Sequence, residues 1–209
     1  MSLRLNGSTS GYVELDAPAT AGSNTLVLPN GNGTSGQYLQ TDGSGGLSWQ
    51  TVATSNITYS TAQATTSGSV VIFSDVPSGV KKITLMFDQV STSGADRIVV
   101  LLSTGGVLKQ TGYDSATMWI QDGTAPGAFT STTYFTAIAS DNAIREWKAM
   151  YVLTNISGNK WLFSGTGSDD TRAVVSNGVV DLGGAIDNIR IATDTNAFDG
   201  GQVNLMYEV

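Results

Sequence analysis

Seventeen acidic side chains, ten basic ones and no histidine or cysteine set the chemistry open to this 209-residue chain. The commonest general base, the commonest zinc ligand and the thiolate nucleophile are therefore missing. Carboxylates remain for acid–base work. Asp169-Asp170, after Gly165-Thr166-Gly167-Ser168, is the obvious pair. Glycoside hydrolysis needs two carboxyl groups roughly 5–9.5 Å apart across a cleft. Neighbouring residues on a strand point to opposite faces, and a stretch of Asp and Gly reads as a solvated turn. We therefore expect no catalytic residue and no enzyme. Asp187, Asp194 and Asp199 offer oxygens to a hard cation but lack EF-hand spacing. No metal site and no cofactor are expected.

Binding chemistry is better represented. Trp119, with Gln121 and Asp122, borders the loop containing Gly123, Pro126 and Gly127, and Phe129 and Tyr134 follow on its far side. Aromatic faces stack on sugar rings while a neighbouring polar group fixes orientation, so these five residues form the candidate receptor site. The competing reading places Trp119 in the core or a subunit interface, because large aromatics are mostly buried. Trp147 and Trp161 lie within strand patterns and read as core.

The elements that must carry these residues are strands. The charged fraction is 13%, about half the usual ~25%. Ser, Thr, Asn, Gln and Gly supply the polarity, and they form helices poorly. From Val70 onward, short apolar or alternating runs recur at nearly regular spacing. They include Val70–Phe73, Ile83–Phe87, Arg97–Ser103, Thr117–Ile120, Thr133–Ala139, Trp147–Leu153 and Trp161–Phe163. Ile189 and Ile191 mark the next, and Val203, Leu205, Tyr207 and Val209 alternate to the end. Asn177-Gly178, between Val174-Val175 and Val179-Val180, carries the signature of a tight hairpin. Nine or ten strands with thin helical signals predict one β-sandwich, with a jelly roll as the expected topology.

The first fifty residues have a different texture. They contain nine glycines and twelve larger apolar side chains, too few to offset the entropy of ordering the segment alone. Either this arm is disordered or other chains complete its core. Val13 and Leu15 alternate with acidic residues, and Leu26 and Leu28 flank Val27, which predicts short strands with one apolar face. Pro29 to Gly33 and Asp42 to Gly46 read as turns, and Trp49 caps the arm or packs on a neighbouring chain. Thr51 to Ser69 reads as a linker or a first edge strand.

A net charge of −7 argues against phosphate-directed nucleic-acid binding and against an anionic membrane surface. Met1–Leu5 runs straight into Asn6-Gly7 without the apolar region of a signal peptide, and the longest apolar run, Ile98–Leu102, is too short for a bilayer. A soluble protein made in a cytoplasm is expected, with no nucleic acid and no membrane insertion.

Three stretches resemble phage virion fibre proteins, particularly those of cyanophages. The first runs from Gly7-Ser8-Thr9-Ser10-Gly11-Tyr12-Val13 through Leu26-Val27-Leu28-Pro29 and Gly36-Gln37-Tyr38-Leu39 to Leu47-Ser48-Trp49. The second runs from Ile72-Phe73-Ser74-Asp75-Val76-Pro77-Ser78-Gly79 to Thr111-Gly112-Tyr113. The third joins Ile189-Arg190-Ile191 to Phe198-Asp199-Gly200-Gly201-Gln202-Val203 and Tyr207-Glu208. The resemblance implies a homotrimer attached to the virion by its N-terminus, with the C-terminal domain on display. It carries no catalytic residue across.

The combined expectation is a virion protein made in the bacterial host cytoplasm. Residues 1–56 form a Gly-rich β arm for trimerisation and attachment to other virion proteins, through Val13, Leu15, Leu26, Leu28, Tyr38, Leu39 and Trp49. Residues 57–209 form a jelly-roll-like β-sandwich presented to a bacterial surface glycan. The alternative is a purely architectural fibre on the neck or capsid.

Overall fold

A computed structural model describes residues 2–52, 56–74, 76–140 and 142–209. The chain divides into two compact units, Met1–Ser55 and Asn56–Val209. Both are β-structured, and no helix occurs among the described residues.

The first unit holds two antiparallel hairpins. Strands β1 (Leu3–Asn6) and β2 (Tyr12–Leu15) pair Leu3 with Leu15 and Leu5 with Val13, so four apolar side chains share one face. The opposite face carries the Arg4–Glu14 ion pair at 3.0 Å, with the Arg4 guanidinium 4.0 Å from the Tyr12 ring. Strands β3 (Gln37–Thr41) and β4 (Leu47–Thr51) pair Leu39 with Trp49. The Asp42 carboxylate holds the turn between them by accepting from Ser44 and Gly46 N–H. Leu26 and Leu28 correct the expected short strand: only Val27 pairs, in a single parallel bridge to Gly46.

The second unit contains fourteen described strands rather than nine or ten, because short edge strands and a split loop escape a pattern search. They open with β5 (Ile57–Tyr59), β6 (Gln63–Ala64), β7 (Val70–Phe73), β8 (Lys82–Thr92) and β9 (Asp96–Thr104). Next come β10 (Val107–Leu108), β11 (Tyr113–Gln121), β12 (Gly127–Ser131), β13 (Phe135–Ser140) and β14 (Trp147–Ser157). The chain closes with β15 (Lys160–Ser168), β16 (Arg172–Asp181), β17 (Asn188–Thr193) and β18 (Phe198–Glu208).

Nine of these form one antiparallel sheet in the order β12-β11-β16-β15-β14-β8-β18-β5, with β6 also on β18. The other five form the order β10-β9-β17-β7, with β13 also on β9. The two sheets make a sandwich. The segment read as a linker or edge strand supplies β5 and β6, both paired with β18.

Alternating side chains from both sheets meet in one core. Its centre is an aromatic ladder crossing between them. Tyr113 meets Phe135 edge-on at 4.8 Å, Phe135 stacks on Phe163 at 4.8 Å, Phe163 stacks on Tyr151 at 4.9 Å, and Tyr151 meets Phe87 edge-on at 5.9 Å. Such pairs add stabilisation beyond their burial. Trp147 and Trp161 are buried in this core, as their strand patterns predict. Polar ties also cross it. The Tyr151 hydroxyl donates to the Ala137 carbonyl, and the Thr117 hydroxyl donates to the Thr136 carbonyl at 2.8 Å. The Tyr113 hydroxyl accepts from Leu102 N–H at 3.0 Å, yet burial pushes its pKa up to about 12.

Asn177-Gly178 does not turn the chain. It lies in mid-strand on β16, with Gly178 opposite Ser115 and Phe163. A Cβ there would fall 2.8 Å from the Phe135 ring and from the Asp114 carbonyl. The glycine makes room for the ladder, a role that reads locally like a turn.

Candidate functional site

At one end of the sandwich a cleft of about 400 Å³ opens between the sheets. Strands β11 and β16 of the larger sheet contribute Trp119 and Arg172, and β9 and β13 of the smaller contribute Asp96, Arg97 and Ala139. The β17–β18 connection adds Asp194 and Thr195.

Trp119 is half-buried and packs on the core edge. Its cross-strand partner is Gly127, where a Cβ would lie 2.2 Å from the indole. Only a glycine lets the ring lie against that backbone, leaving its other side toward the cleft. The Arg172 guanidinium sits 5.8 Å from the indole centre and is nearly buried. It donates to the Gln121 side-chain oxygen through Nη2 at 2.6 Å and Nε at 3.2 Å, and to the Ala139 carbonyl at 2.8 Å. Gln121 is thus an anchor for Arg172 rather than a free polar group.

The opposite wall is built around Asp96. Its buried carboxylate accepts from the backbone N–H groups of Asp194, Thr195 and Asn196, at 3.0, 3.1 and 2.5 Å, and so fixes the β17–β18 turn. Arg97 pairs with Asp194 at 3.1 Å and lies over Phe129, 4.1 Å from the ring centre. Phe129 in turn lies near-parallel to Tyr134, with centres 6.5 Å apart. A cation–π contact thus joins the second aromatic pair to the cleft wall.

Of the predicted receptor residues, Trp119 lines this cleft, Gln121 braces Arg172 in its wall, Phe129 lies against Arg97, and Tyr134 stacks on Phe129. Asp122 is exposed and lines a neighbouring depression together with Gln121, Arg172, Asp169 and Asp170. Asp96, Arg97 and Arg172 carry no local motif, since their partners lie tens of residues away. Asp194 drew notice only as a cation ligand.

The carboxylates have other tasks. Asp169 is no solvated turn residue: its side chain is 4% exposed and pairs with Arg145 at 2.7 Å. Burial pushes its pKa up, but hydrogen bonds from Thr171 N–H, Arg145 and Arg172 N–H, with the Arg145 charge, outweigh that and hold it below the ordinary value. Asp187 is also held low, chiefly by the Ser103 hydroxyl and the Gly106 N–H. Asp199 accepts from Ser91 at 2.5 Å. Asp187, Asp194 and Asp199 thus serve different partners, and no acidic group suited to a metal ion occurs among the described residues.

In the arm, Val13, Leu15, Leu26, Leu28, Tyr38 and Leu39 are all exposed, between 43% and 70%. Trp49 is half-buried, packs on Gly33 and donates its indole N–H to the Gly31 carbonyl at 2.7 Å, a cap made within its own chain. No protein-family model matches the chain, and no match was found among curated proteins.

Proposed function

We propose that this chain is a structural fibre protein of a bacteriophage virion. It is a homotrimer whose arm joins it to itself and to other virion proteins, and whose jelly-roll-like sandwich meets a bacterial surface glycan. The observation that carries this reading is the arm. Every described apolar side chain there stays open to solvent or half-buried, although Leu3, Leu5, Val13 and Leu15 share one hairpin face. A soluble chain gains from covering such a face, and three arms meeting at an axis would cover all three. The crossings between the two sheets at β7-β8-β9 and at β16-β17-β18 support the jelly-roll assignment, and the three fibre-like stretches support the virion setting. Asp169, paired with Arg145 and held below its ordinary pKa, lacks the raised pKa of a glycosidase general acid.

Light scattering on the purified protein tests the assembly, and a stable monomer would sink it. Host-cell adsorption tests recognition: Trp119→Ala is expected to reduce it at least about tenfold, the scale of a binding hot spot. Adsorption unchanged by that substitution rejects the cleft as receptor site. One observation favours the architectural alternative. Arg172 already spends donors on Gln121 and Ala139 within the chain. A fibre that assembles but never adsorbs to host cells would establish that reading.

A further inference from the structure

The dipeptide Asn-Gly occurs four times in the chain, at Asn6-Gly7, Asn30-Gly31, Asn32-Gly33 and Asn177-Gly178. This pair is chemically labile. The main-chain nitrogen of the glycine can attack the side-chain carbonyl carbon of the asparagine, since no Cβ on the glycine bars its approach. The reaction needs a glycine nitrogen that is free to move, so the fold decides which of the four can react.

Two of them are held. Gly7 N–H donates to the Gly11 carbonyl at 2.9 Å across the turn between β1 and β2. Gly178 stands in mid-strand on β16, opposite Ser115 on one side and Phe163 on the other. A strand with neighbours on both sides commits its backbone groups to two ladders. The Asn177 side chain is itself exposed, so the ladder rather than shielding protects it. The other two lie in the exposed connection between the Val27 bridge and β3, outside any strand. Among the described residues, neither the Asn30 and Asn32 side chains nor the N–H groups of Gly31 and Gly33 make a hydrogen bond.

We infer that Asn30 and Asn32 are sites of spontaneous deamidation, and that the fold spares Asn6 and Asn177. At each site the glycine nitrogen bonds to Cγ, its proton passes to water, and the side-chain nitrogen leaves as ammonia. Water then opens the cyclic imide at either carbonyl, with no oxidation or reduction. One product is aspartate. The other is isoaspartate, whose main chain runs through the former side chain and is longer by a methylene. Either adds a negative charge to a chain of net charge −7. Both glycines also seat Trp49: the Gly31 carbonyl accepts its indole N–H at 2.7 Å, and a Cβ on Gly33 would lie 2.7 Å from the ring. A lengthened main chain at either asparagine therefore shifts the seat of that cap.

Full-length protein held in mildly alkaline buffer, with a parallel sample in urea, tests this by peptide mass spectrometry over time. In urea all four asparagines should convert at similar rates, since each precedes a glycine. In the native protein Asn30 and Asn32 are expected to convert near the urea rate. Asn6 and Asn177 should convert at least about tenfold more slowly, because a bonded N–H must first be released by local opening. Equal native rates at all four sites would overturn the inference, as would Asn30 and Asn32 converting as slowly as Asn177. Gly31→Ala puts its Cβ in open space, so the arm should stay intact while Asn30, and not Asn32, slows about tenfold or more. An unchanged Asn30 rate would also overturn it. Light scattering on the same samples reports assembly separately, so failure here is distinct from failure of the trimer.

Discussion

The arm and the sandwich are built from the same kinds of short strand, and they treat apolar side chains in opposite ways. In the sandwich, β14 sends Trp147, Tyr151 and Leu153 inward, and an opposing sheet stands ready to receive them. In the arm, β1 and β2 line up Leu3, Leu5, Val13 and Leu15 just as regularly, with no second layer of their own unit to cover them. Among the described residues, every buried apolar side chain lies at Val71 or beyond. Alternation alone makes an amphipathic strand, and a second sheet makes a core. The difference implies that the sandwich carries its own stability, and the uncovered face of the arm is what the proposed association would bury.

The sharpest way to break this contrast is to open the aromatic ladder. Phe163→Ala is expected to cost about 3–5 kcal/mol in urea unfolding, because the buried ring stacks on both Phe135 and Tyr151. A loss under about 1 kcal/mol would mean the ladder is not the centre of the core.

Alkaline pH probes the same core without mutation. Tyr113 rises from 10.0 to about 12 in the fold, so the native state keeps a proton that the unfolded chain gives up. Its contribution is complete below pH 10 and is lost as pH rises through about 12. Two pH units correspond to about 2.7 kcal/mol. Tyr113→Phe should flatten that decline in unfolding measured at pH 9 against pH 11.5, and an unchanged slope would contradict it.

At the acid end, Asp169 is depressed in the fold, so its contribution is present above the unfolded value of about 3.9 and disappears as pH falls below it. Asp169→Asn is expected to cost about 1–2 kcal/mol at pH 7, since the charge-assisted bonds from Arg145 and two backbone N–H groups weaken. Thermal unfolding at pH 7 and pH 3 should show the gap between variant and parent closing in acid.

The smallest effect sharpens the comparison from the arm's side. Leu5→Ala should change sandwich unfolding by no more than about 0.5 kcal/mol, because an exposed side chain loses little when shortened. The same substitution should raise the concentration needed for assembly in a light-scattering dilution series. A destabilised sandwich with unchanged assembly would reverse the roles given to the two units.

Much of the second unit was legible as written. The period of two in Val203, Leu205 and Tyr207 announced both the strand and its inward face, and Trp147 and Trp161 fell where their patterns placed them. Asn177-Gly178 misled because a hairpin signal and a mid-strand glycine share a spelling; Phe135, over forty residues away, decides between them. The cleft was half legible. Trp119 and its neighbours were visible as an aromatic cluster, but Arg172 and Asp96 were silent. A buried ion carries no local pattern, since what defines it is a carbonyl, amide or ring brought in from another strand.

The sequence by itself determined that this protein is all-β, that it has no imidazole or thiolate chemistry, and that its first fifty residues are too poor in apolar mass to bury themselves. These follow from residue types and from the two-residue repeat of a strand, which are properties of the chain alone. Strand order was decided only in three dimensions, and with it the meeting of Trp119 with Arg172 and the seat of Asp96. Each of these depends on which strands become neighbours, and pairing is selected by the packing of two whole sheets rather than by any segment within them.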